Sequence, residues 1–114
     1  MSIQKVGVIA SFEEACEVFM RFCQGETNSQ IGAVLDVHHA RVYQCIVRFK
    51  LHLKPVDHLY QGAGLKDYPR EHELPRAEWG RLFTAALDAP SSRLDLYNTI
   101  SHHLSRSRQL RAAR

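Results

Sequence analysis

No aspartate or glutamate occurs between residues 37 and 56, a stretch that holds Arg41, Arg48, Lys50 and Lys54. A second acid-free stretch, 106–114, carries four arginines. The formal charge of the whole chain is only +3, so a polyanionic partner is permitted but not demanded. Long apolar runs are also missing, which excludes a helical bilayer span. Met1 to Ala10 has neither the apolar centre nor the cleavage site of a secretory leader, so a cytoplasmic location is expected. The three cysteines, Cys16, Cys23 and Cys45, are odd in number and widely spaced, which argues against a disulfide framework. They also lack the close pairing of structural zinc sites, so neither a metal nor any other cofactor is expected. There is no glycine-rich phosphate loop. Glu71, His72 and Glu73 read as a solvated loop and Ser91 and Ser92 as helix caps. No coherent catalytic set emerges, and the chain is not expected to be an enzyme.

With 114 residues the chain makes one small domain. Residues 2–10 hold Ile3, Val6, Val8 and Ile9, β-branched side chains that suit a short extended arm. Ser11 and Glu14 form a capping-box pair, after which Phe12, Cys16, Phe19 and Cys23 recur at helical spacing up to Gly25. Thr27 and Gln30 form a second such pair and open a short helix to Leu35. A third helix is predicted from His39 to Leu53, before Pro55. Residues 55–73 read as loop, with Gly62, Gly64 and Pro69. Pro75 suits the first position of a fourth helix, which Pro90 breaks; Ser92 and Asp95 are expected to cap a fifth. The fold class is all-α, about five helices.

Residues 28–49 satisfy the demands of two helices crossing steeply over a tight turn. Gly32 is small where the helices meet, and Ile31 and Leu35 give the first helix its inner face. Asp36 stands in the turn, where a residue tolerant of left-handed backbone is needed. Val37, Val42, Cys45 and Ile46 then point inward. This segment resembles the helix-turn-helix of bacterial, phage and plasmid regulators, although Asp36 replaces the usual turn glycine. The resemblance covers about a fifth of the chain and does not single out one family.

The resemblance implies that double-stranded DNA is the partner and that the third helix enters the major groove. The residues expected to face DNA are His38, His39, Arg41, Tyr43, Gln44, Val47, Arg48 and Lys50. Glutamine can pair with adenine, arginine with guanine and valine with the thymine methyl. Arg48 and Lys50 suit phosphates. Such regulators commonly pair on a two-fold operator. Leu94, Tyr97, Ile100 and Leu104 therefore form the expected homodimer stripe, although packing within the monomer would also explain them. Residues 11–54 would form the DNA-binding part, 74–105 a dimerisation or packing part and 106–114 a basic tail. A repressor on an inverted repeat is the leading expectation, and a small-molecule effector is not expected. The rival is a non-enzymatic inhibitor or adaptor that uses the same scaffold to bind protein.

Overall fold

The computed structural model describes residues 7–56 and 67–112, with side chains as far as Leu104. Ile3, Val6, the loop glycines Gly62 and Gly64, and the side chains of the terminal arginines lie outside the described residues. The helices are α1 (Phe12–Cys23), α2 (Asn28–Leu35), α3 (His39–Leu53), α4 (Arg76–Asp88) and α5 (Pro90–Ala112). One 3-10 turn, Arg70–His72, lies between α3 and α4, and no strand occurs among the described residues.

Local chemistry sets the helix ends. The Glu14 backbone N–H donates to the Ser11 hydroxyl at 3.1 Å, which caps α1. The expected reciprocal bond is replaced: Ser11 Oγ donates to the Glu14 carboxylate at 3.2 Å instead. At α2 the box is complete, with Gln30 N–H on Thr27 Oγ1 at 3.1 Å and Thr27 N–H on Gln30 Oε1 at 2.9 Å. Gly25, at φ 102°, ends the first helix in a conformation that side chains resist. Pro90 starts α5 rather than merely ending α4, since its fixed φ and missing N–H suit a first helical position. Ser92 and Asp95 accordingly lie inside α5, which corrects the expected cap.

Asp36 adopts left-handed backbone, φ 56° and ψ 46°, and turns the chain from α2 into α3. Its neighbour Val37 donates its N–H to the Gly32 carbonyl at 2.9 Å. A Cβ on Gly32 would collide with the Val37 carbonyl oxygen, so the crossing requires glycine. The N-terminal arm seals the other side of the turn. Gly7 bridges to Val37 in parallel, and a Cβ there would lie 2.6 Å from the Asp36 carbonyl oxygen.

α1 runs through the centre, packed on all four other helices. Phe19 stacks on Phe49 of α3 at 4.8 Å and meets Phe83 of α4 edge-on at 5.2 Å. Such geometry adds about 0.5–1.5 kcal/mol per pair beyond the burial itself. Leu96, Ile100 and Leu104, spaced by four, bring α5 into the same core. Among the described helices α2 touches α1 and α3 alone, and Ala33 and Val34 are exposed on its outer side.

Two substitutions test the turn by urea unfolding. Gly32→Ala is expected to cost about 2 kcal/mol, because the backbone oxygen it meets cannot rotate away. Asp36→Gly should leave stability within about 1 kcal/mol, since glycine enters the left-handed region without strain but gains entropy when unfolded. A fully stable Gly32→Ala protein would contradict the crossing.

Candidate nucleic-acid interface

The acid-free stretch maps onto α3 and its flanks, but its side chains divide between solvent and core. His38, His39, Arg41 and Gln44 are exposed and Arg48 is half-buried. At 3.6 residues per turn, Arg41, Gln44 and Arg48 lie within an arc of about 60°, forming one ridge. His38 caps the ridge's helix: its Nδ1 accepts the Ala40 backbone N–H at 3.1 Å. The His38 and His39 rings lie 4.3 Å apart, tilted by 30°. Histidine is an uncommon cap, so His38, expected as a contact residue, also closes the start of α3.

Three of the expected contact residues are placed differently. Val47 is 3% exposed and belongs to the interior. Lys50, at 7%, is turned inward as well. Tyr43, half-buried, bonds through its hydroxyl to the Asp67 carboxylate. On the helical wheel these three share a side about 60–120° from Gln44, toward the body of the protein. Polarity alone did not distinguish that side from the solvent ridge, because Lys50 is charged and yet buried.

The reason is a network anchored by residues expected to be a solvated loop. Lys50 Nζ donates to Glu73 Oε2 at 2.7 Å, and Trp79 Nε1 donates to Glu73 Oε1 at 2.7 Å. The ammonium also lies 4.8 Å from the Phe22 ring centroid, 5.8 Å from that of Tyr68 and 5.6 Å from that of Trp79. Cation–π attraction and a direct counter-ion together make this burial tolerable. Lys54 Nζ donates to the His72 carbonyl at 2.8 Å, and the Tyr68 hydroxyl donates to the Lys54 carbonyl at 2.9 Å. Arg76 donates to the Phe22 and Glu26 carbonyls at 2.6 and 2.7 Å, closing the C-terminal end of α1. Residues 67–76 thus form a strap that holds α1, α3 and α4 in register.

The dimer stripe also divides. Ile100 (2% exposed) and Leu104 lie in the monomer core, whereas Leu94 (59%) and Tyr97 (47%) face outward. The buried row of α5 begins at Leu96, so the core-facing centre is rotated from the expected stripe. Trp79 and Phe83 place α4 in the same core. Burial pushes the Cys16 and Cys23 thiols up to about 11, and Cys45 higher still. Thiols raised in this way are poor nucleophiles. Among the described residues, no helix is long and apolar enough to cross a membrane.

No family model, curated protein or solved structure matches the chain.

The strap generates a stability prediction. Burial opposes ionisation of Glu73, but its bonds from Lys50 and Trp79 outweigh that, and its pKa falls below the ordinary value. Because the folded value lies below the unfolded one, this contribution is complete at neutral pH and is lost as pH drops through the carboxylate range. Glu73→Ala leaves a buried ammonium without its counter-ion and is expected to cost about 3 kcal/mol. Lys50→Met keeps the packing and leaves a carboxylate that water can reach, costing about 1 kcal/mol or less. Urea titrations at pH 7 and pH 3.5 check both. Equal losses from the two substitutions, or an acid-independent Glu73→Ala difference, would contradict the network.

Proposed function

We propose that this protein is a sequence-specific double-stranded DNA-binding regulator that presents the N-terminal half of α3 to the major groove. The observation that carries the reading is the ridge of exposed Arg41 and Gln44 with half-buried Arg48, beyond a glycine-dependent crossing and a left-handed turn. A steep helix pair with a projecting second helix is the geometry by which such proteins enter the groove. Gln44 and Arg41 offer the donors and acceptors that distinguish adenine and guanine edges. Arg48 supplies charge for a phosphate. The exposed start of α2, with Ser29 and Gln30, adds polar groups on the helix that precedes the turn.

The protein acts as a homodimer and, having little surface beyond its helices, as a repressor that occupies its operator. The pairing surface centres on the exposed Leu94 and Tyr97, the latter meeting Phe12 edge-on at 5.2 Å. Ile100 and Leu104, being core residues, support this surface from behind. Two copies joined by a two-fold axis read two half-sites about 34 Å apart, one turn of duplex.

Selection from a random duplex library is expected to return an inverted repeat with that spacing. Gln44→Ala should relax one base per half-site at about 1–3 kcal/mol, while Arg48→Ala weakens all duplexes alike. Leu94→Asp should leave the fold intact and reduce the recovered repeat to a single half-site. An unenriched library opposes DNA recognition, and a repeat unaffected by Gln44→Ala opposes the assigned face.

A further inference from the structure

The strap brings back the charge that residues 37–56 exclude. Asp67 is exposed, and its carboxylate accepts a hydrogen bond from the Tyr43 hydroxyl, about 100° around α3 from Gln44. The carboxylate is held there by its neighbour. Tyr68 is buried, lies edge-on to Trp79 at 5.5 Å and bonds through its hydroxyl to the Lys54 carbonyl at 2.9 Å. Glu73, five residues beyond Tyr68, locks the strap to Lys50. Asp67 is thus an exposed carboxylate tied to the side of α3 that carries Tyr43, on a helix whose ridge is itself basic or neutral.

We propose that Asp67 is a specificity-determining residue, which suppresses binding to arbitrary duplex while leaving base recognition by the ridge in place. The inference rests on the DNA-binding reading above. Nonspecific association is supplied almost entirely by attraction to phosphates, so an exposed carboxylate on the same helix pair subtracts from it. A specific complex has base-edge contacts that offset the same repulsion. Discrimination is a difference between two affinities, and a repulsive group widens it by penalising the wrong sequences. The bond to Tyr43 contributes a second effect: with its proton directed to Asp67, the phenol does not offer that donor to a phosphate.

The test separates charge from hydrogen bonding. Asp67→Asn and Asp67→Ser remove the charge; Tyr43→Phe removes the hydrogen bond and keeps the charge. Binding of each folded protein to a random-sequence duplex is measured by fluorescence anisotropy at low and high salt. Both Asp67 variants are expected to tighten binding about threefold to tenfold at low salt, the scale of one unit charge near the protein surface. The gain should shrink toward unity at high salt, where the screening length falls to a few ångströms. Tyr43→Phe should give no comparable tightening. Unchanged or weakened binding in both Asp67 variants overturns the proposal, as does an equal response to Tyr43→Phe. If the wild-type protein fails to bind duplex even at low salt, the DNA reading falls and Asp67's role with it. If the wild-type protein binds and the Asp67 variants do not exceed it, only the role of Asp67 falls.

Discussion

The close approach of α2 and α3 is the constraint from which the candidate interface follows. Gly32 allows the Val37 carbonyl to sit where any Cβ would stand, and Asp36 accepts a left-handed backbone to bring it there. The angle between the two helices is thereby set by hard contacts rather than by flexible side chains. Gly7 fits against the outer side of the same turn, so glycine on both flanks permits three backbone segments to converge. Among the described helices α2 packs on α1 and α3 alone, and the start of α3 is exposed beyond the crossing.

A second constraint works from the opposite end of α3. The aromatic core around Phe19 fixes α1, α3 and α4, and the strap adds polar bonds at its edge. Lys50 is the pivot. Its ammonium is surrounded by three rings and neutralised by a carboxylate that also satisfies Trp79. Removing the carboxylate leaves both donors wanting, which is why the two partners are not equivalent. The division of α3 into an anchored C-terminal half and a projecting N-terminal half arises from this network.

The helices and the turn were legible because their determinants are local. Thr27 and Gln30 lie three apart, and Asp36 announces the left-handed position by its own chemistry. The predicted bounds of α3, His39 and Leu53, coincide with those observed. What was not legible depends on contacts distant in sequence. Glu73 is 23 residues from Lys50, and Asp67 is 24 from Tyr43, so nothing around α3 marks either residue as a partner. A buried lysine looks like a phosphate ligand in sequence, as Lys50 did. Val47 misled similarly, because an apolar side chain on a basic helix suits either a thymine methyl or the core. On α5 the apolar stripe was wide enough to admit more than one orientation, and the choice of Leu96 over Leu94 as the buried edge was made by packing on α1, α3 and α4.

Amide chemical-shift mapping tests the central claim most directly, because it locates a bound duplex without assuming its sequence. In a titration of the isotopically labelled protein with a short random-sequence duplex at low salt, the largest changes should cluster at the start of α2 and at His38, His39, Arg41, Gln44 and Arg48. Val47, Phe49 and the core of α5 should move little. Changes concentrated on the Leu94 and Tyr97 side, or none at any duplex concentration, would contradict the account.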